Sequence, residues 1–146
     1  VIVAGIDPSS GTTGIAIVQD GRTLLTHTTF TADKAHTLSH NMWEFHKQLH
    51  KLAMLYKPRR FVVERVSVSW NVNTIRRIAY YEAMAMIVAE RRRAEVVQMN
   101  VSQARKRVLG AGNATKADVT REMSLRWSVN LTPDEADAAL LALAAS

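Results

Sequence analysis

The chain has 146 residues, enough for one hydrophobic core and too few for two ordinary domains, so a single domain over 1–146 is expected. With 47% hydrophobic and 22% charged residues it has the balance of a soluble globular protein, no apolar run is long enough to span a bilayer, and the lack of cysteine excludes a disulfide framework or a Cys-based zinc site. A net charge of +6, from 19 Lys and Arg against 13 Asp and Glu, points to a polyanionic partner.

The opening run Val1-Ile2-Val3-Ala4-Gly5-Ile6-Asp7 reads as a buried strand that ends on a carboxylate, followed by the turn formers Pro8-Ser9-Ser10-Gly11. Ile15-Ala16-Ile17-Val18 and the β-rich stretch from Thr23 to Phe30 are two further strands, separated by Asp20-Gly21, a hairpin dipeptide. From about 33 to 56, Leu38, Met42, Phe45, Leu49, Leu52 and Tyr56 recur at spacings of four and three, the stripe of an amphipathic helix that Pro58 ends. A strand at 61–64, a helix over 74–92, a strand at 95–99 and helices starting near Ser102, Thr115 and Pro133 complete the chain. The 74–92 helix is apolar on more faces than one sheet covers, so it is either enclosed within one chain or packed on a second copy across a two-fold axis. This order predicts an α/β domain with a five-stranded mixed sheet flanked by helices.

A carboxylate at the end of a buried strand loses several kcal/mol of hydration unless something pairs with it. Asp7 is such a group, as is Glu64 after Phe61-Val62-Val63; alone, the first could belong to a turn and the second to an ion pair with Arg65 or Arg60. Thr132-Pro133-Asp134-Glu135 is a helix start in which Thr132 caps and Glu135 completes a capping box. Capping leaves Asp137 unexplained among alanines and leucines, on the same helix face as Asp134. Four carboxylates meeting in space would form an all-oxygen site suited to Mg²⁺ or Mn²⁺ and to two-metal phosphodiester hydrolysis. Lys116, in the first turn of a helix capped by Thr115, sits where the dipole disfavours a cation and an anion such as a phosphate would compensate.

Basic clusters occur at Arg59-Arg60, Arg76-Arg77, Arg91-Arg92-Arg93 and Arg105-Lys106-Arg107. Arg91 to Arg93 either complement a helix dipole or hold phosphate, and Arg105 to Arg107, ahead of the Gly110 and Gly112 loop, favour phosphate. His36/His40 and His46/His50 are each spaced by one helical turn, but a solvated polar face accounts for them better than zinc. Trp43 and Trp127 read as core or helix-packing residues, whereas Trp70 is placed either to stack on a base or to pack in an interface.

Taken in order, Gly5-Ile6-Asp7-Pro8 with Gly14, Val63-Glu64-Arg65-Val66 with Asn71, Gly110-Ala111-Gly112-Asn113-Ala114-Thr115-Lys116 and Asp134-Glu135-Ala136-Asp137-Ala138 resemble the motifs of RuvC-type Holliday junction resolvases, of the ribonuclease H-like nuclease superfamily. The resemblance implies a ribonuclease H-like fold and a homodimeric endonuclease, dependent on Mg²⁺ with Mn²⁺ as a substitute and two ions per site, that cuts four-way or branched DNA symmetrically in recombination and repair. Asp7, Glu64, Asp134 and Asp137 would be its catalytic metal ligands and Lys116 its basic helper. The expected DNA contacts are Arg65, Trp70, Asn71, Arg76, Arg77, Arg105, Lys106 and Arg107, and the dimer contact is the 74–92 helix. Neither a membrane nor a small-molecule cofactor is expected, and the location is the cytoplasm of a bacterial or phage-infected cell. Two departures stand out: Ser9 replaces a glycine common after the Asp-Pro, as in a phage or mobile-element branch, and Ser67 replaces the aromatic residue three positions after the catalytic glutamate. They leave room for a structure-tolerant debranching nuclease acting on flaps, forks and replication intermediates, while the complete carboxylate set argues against a silent junction-binding module.

Overall fold

Asp20 and Gly21 both adopt left-handed backbone, at φ 53° and 63°, as a tight turn between twisted antiparallel strands requires. In the computed structural model, which describes residues 1–9, 11–65 and 71–146, the elements run β1 (Ile2–Pro8), β2 (Thr12–Gln19), β3 (Thr23–Thr31), α1 (Leu38–Tyr56), β4 (Arg60–Glu64), α2 (Val72–Arg91), β5 (Glu95–Met99), α3 (Val101–Leu109), α4 (Lys116–Trp127) and α5 (Pro133–Ala144). The sheet order is β3-β2-β1-β4-β5. β1, β2 and β3 are antiparallel, while β4 and β5 join β1 in parallel through the crossovers α1 and α2. This is the mixed sheet expected of a ribonuclease H-like fold.

Helix boundaries shift where local capping outcompetes the apolar stripe. α1 begins at Leu38 rather than near 33, because the Thr37 side chain accepts from the His40 N–H while Asp33 folds the preceding residues into a turn through the Ala35 and His36 amides. α2 begins two residues earlier than expected, because the Asn71 side chain accepts from the amides of Asn73 and Thr74.

Alternation along the strands divides the core between the two faces of the sheet. Ala4, Ile6, Phe61 and Val63 pack with Phe45, Leu49, Tyr81 and Val88 of α1 and α2. On the other face Val3, Ala16, Val18 and Val62 meet Leu140, Leu141 and the alanines of α5, with α3 and α4 beyond. Gly5 and Gly14 belong to this second face, and there α5 touches sheet backbone: a Cβ at Gly5 would lie 1.8 Å from the Ala138 carbonyl oxygen, and one at Gly14 would lie 2.1 Å from that of Asp134. Only glycine permits so close an approach. We expect Gly14→Ala to destabilise the protein by about 1–3 kcal/mol in urea unfolding, whereas Gly11→Ala, with open space around its Cβ, should change it by less than about 0.5 kcal/mol.

Candidate metal centre

The alternation that places Gly5 against α5 also points Asp7 toward that helix, two residues further along β1. Ile6 pairs with Val63 in the parallel register of β1 and β4, so Asp7 and Glu64 are neighbours at adjacent strand ends, close enough for Glu64 to raise the Asp7 carboxyl. α5 supplies the other two acids. Its start is fixed by the Thr132 and Glu135 capping box, by Pro133 in the first turn and by a 2.6 Å contact between His27 Nδ1 and Glu135 Oε2. Glu135 is therefore held by the cap, and Asp134 and Asp137 face the strand ends.

Lys116 stands at the focus of these groups. Its Nζ lies 3.0 Å from Asp134 Oδ1, 3.2 Å from Asp137 Oδ2 and 3.9 Å from Asp7 Oδ2. The Thr115 and Asp118 capping box places Lys116 at the first position of α4. Thr12 adds a hydrogen bond from its hydroxyl to Asp134 Oδ2. Arg105 of α3, mostly buried, brings a guanidinium nitrogen to 3.7 Å from Asp137 Oδ1.

One ammonium does not satisfy this much buried negative charge. Asp7 and Asp137 are each only 3% exposed, and Asp7 Oδ2 and Asp137 Oδ1 are buried without a hydrogen-bond partner. Burial, then the hydrogen bond and charge of Glu64 and the charge of Asp137, push the Asp7 carboxyl well above the ordinary carboxylate range, with Lys116 opposing. Burial likewise raises Asp137, against Lys116 and Arg105. For Lys116 burial acts downward, but the hydrogen bond to Asp134 and the charges of Asp7, Asp137 and Asp134 outweigh it and hold the ammonium above its usual value. Among the described residues no three acidic or histidine side chains close around a single point as they stand, because Lys116 occupies the focus. The donor set nevertheless fits a hard divalent cation: it is all oxygen, it carries two orphaned buried atoms, and a lysine can swing aside.

Of the expected DNA contacts, Arg65, Arg76, Arg77 and Lys106 are exposed. Asn71 spends its side-chain oxygen on capping α2, Arg107 reaches the Ala144 carbonyl at 3.4 Å, and Arg105 turns to Asp137, so these three also carry structural contacts. Trp70 and Ser67 lie outside the described residues. Arg60 pairs with Glu95 at 2.7 Å rather than with Glu64. Trp43 is no core residue: it is 56% exposed and stacks on His46 at 5.4 Å. His46 is buried rather than solvated, with Arg91 3.1 Å from its Nε2, and among the described residues no histidine belongs to a metal-ligand group. Thr12 was not singled out from the sequence, yet strand alternation puts it on the α5 face with Gly14, Ala16 and Val18.

Because Asp7 binds its proton more tightly in the fold than in the unfolded chain, its contribution to stability is present below the unfolded value of 3.8 and is lost as pH rises through the folded value. Neutralising it should relieve that penalty. In chelator, Asp7→Asn is expected to raise Tm at pH 7 by about 3 °C or more, and the gain should vanish near pH 4, as checked by calorimetry at both values.

The family model described as crossover junction endodeoxyribonuclease RuvC matches residues 3–146. The proteins of that name from Legionella pneumophila (strain Corby) and Magnetococcus marinus are 25% identical over 148 residues and 27% identical over 147; each alignment covers 97% of this chain, and 84% and 81% of the respective relative. Among solved structures, Thermus thermophilus RuvC superposes with a TM-score of 0.84 at 19% identity, covering 99% of this chain and 92% of that one. The structure of T. thermophilus RuvC in complex with Holliday junction substrate superposes at 0.88 and 19%, covering 98% and 91%. The solved structures establish the fold, and the match of the family model across nearly the whole chain establishes descent: the chain belongs to the crossover junction endodeoxyribonuclease RuvC family.

Proposed function

We propose that the protein is a divalent-metal-dependent endonuclease that resolves four-way DNA junctions by symmetric phosphodiester hydrolysis. The observation that carries this is the meeting of Asp7, Asp134 and Asp137 around the Lys116 ammonium, with Glu64 beside Asp7, from three elements far apart in sequence. Mg²⁺, with Mn²⁺ as a substitute and two ions per site, would supply Lewis-acid stabilisation of the phosphodiester and activation of the attacking water.

The four carboxylates would hold the ions, with Thr12 fixing the rotamer of Asp134 and Arg105 steadying Asp137. Released from the carboxylates, the Lys116 ammonium would offset charge that builds on a scissile phosphate at the strand ends. Arg76, Arg77 and Lys106 are free to meet backbone phosphates.

Symmetric cutting needs two active sites. Ala79, Tyr80, Ala83 and Ile87 form an exposed stripe on α2, with Ile87 51% and Tyr80 36% exposed, and a second copy of the helix would cover it across a two-fold axis. Arg76 continues the same stripe toward the active-site end, so pairing of these helices would set two basic surfaces side by side.

Cleavage with Mg²⁺ on four-way, forked and linear duplexes tests the proposal. The wild type should cut the four-way junction in paired strands and leave the linear duplex intact; Asp134→Asn and Glu64→Gln should each lose about 10³-fold or more in rate while binding the junction within about two-fold. Ile87→Glu should sediment as a monomer and lose paired cutting. Equal cutting of linear duplex, or full activity in either carboxylate variant, would contradict the assignment.

A further inference from the structure

Helix α1 carries more apolar surface than the sheet takes up. Phe45, Leu49 and Ala53 face the core, as an amphipathic helix requires, yet Trp43, Met54 and Leu55 on its outer side are each more than half exposed. These three line a groove of about 580 Å³ between α1 and the last residue of α2, Arg91. An apolar surface that the fold itself does not use marks a contact with another molecule.

The remaining lining is basic or imidazole. Lys47, Lys51 and Arg91 flank the apolar floor; Lys47 meets Glu44 at 2.8 Å, and among the described residues Lys51 and Arg91 pair with no acid. The rings of Trp43, His46 and His50 stack one after another along the helix, with centroids 5.4 and 5.7 Å apart and planes at 6° and 9°. Arg91 donates to His46 Nε2 at 3.1 Å, which leaves the proton of the neutral imidazole on Nδ1. That N–H is buried without an acceptor, and His50 Nδ1 is likewise buried without a partner. Burial, then the charges of Arg91 and His50, lower the His46 pKa and keep its ring neutral at pH 7.

The groove also stands apart from the carboxylates. α1 leads through Lys57 and Pro58 to Arg60, which pairs with Val3 where β1 and β4 begin, whereas Asp7 and Glu64 lie where those strands end. Met54 and Leu55, in the last turn of α1, are therefore at the far end of the sheet, on the face opposite α5.

We propose that this groove docks a short acidic segment of a partner protein, with leucine or aromatic side chains against Trp43, Met54 and Leu55 and carboxylates against Lys47, Lys51 and Arg91. Nucleic-acid phosphate would leave the apolar floor unused. Pairing the face with its own copy would set three cations against their equivalents. A peptide both apolar and acidic satisfies the two halves of the surface together. The docking surface does not depend on the nuclease reading, and it leaves the carboxylate end free.

The test uses a fluorescein-labelled peptide of roughly 16 residues, with leucines and a tryptophan on one helical face and glutamates on the other, titrated with the full chain and read by anisotropy. Its Kd should be about 100 µM or tighter at low salt. Lys47→Glu combined with Lys51→Glu should weaken it about ten-fold or more and should instead take the same peptide built with lysine in place of glutamate. Trp43→Ser combined with Leu55→Ser should weaken the glutamate peptide about ten-fold or more. Both pairs replace exposed side chains, so four-way junction affinity should stay within about two-fold. A glutamate peptide that fails to bind below about 1 mM, or that binds the wild type and both variants equally, overturns the proposal. A loss of junction affinity in the lysine variant with peptide affinity unchanged assigns the groove to nucleic acid, and a shift to monomer on sedimentation of either variant assigns it to a second copy; both results overturn it as well.

Discussion

At Gly5 and Gly14 helix α5 meets the backbone of β1 and β2 directly, because the glycines remove the atoms that would hold the two apart. The rest of the site follows from that contact. With any larger residue at these positions α5 would ride higher, and Asp134 and Asp137 would retreat from Asp7 and Glu64. Carboxylate convergence is set here by a steric approach of main chain to main chain, reinforced at the helix start by the Thr132 cap and the contact between His27 and Glu135.

The approach concentrates negative charge where solvent is scarce. Asp7 and Asp137 keep buried oxygens without a hydrogen bond, and among the described residues Lys116 supplies the positive charge at the focus, with Arg105 at the margin. Such a centre is less stable than a neutral one of the same shape, and a divalent cation is the species that most directly offsets the repulsion. Charge convergence and stability are opposed in these few residues, while the two apolar layers of the core, around Phe45 and Phe61 on one side and Leu140 and Leu141 on the other, carry the fold.

Much of this was legible in the residues. Period-two strands, the Asp20-Gly21 turn and the Leu38 to Tyr56 stripe announce the sheet and its first crossover, and Asp137 is conspicuous as a carboxylate among alanines. Less legible were features that depend on which element lies across from which. Nothing local marks Gly5 as a contact point for Ala138, Arg105 as a neighbour of Asp137, or Thr12 as a support for Asp134. Trp43 and His46 misled in opposite directions, because aromatic character suggests burial and histidine suggests exposure, and their mutual stacking reverses both. The helix starts at Thr37 and Asn71 shifted because capping by a single side chain overrides a hydrophobic period.

The central claim is that Asp7, Glu64, Asp134 and Asp137 together cradle divalent cations. Anomalous diffraction from crystals of the protein soaked in Mn²⁺ tests it most directly. The account predicts anomalous peaks bounded by these four side chains, with the Lys116 ammonium displaced from its present position. Peaks confined to other surface acids, with Lys116 still held by Asp134 and Asp137 at high Mn²⁺, would contradict it.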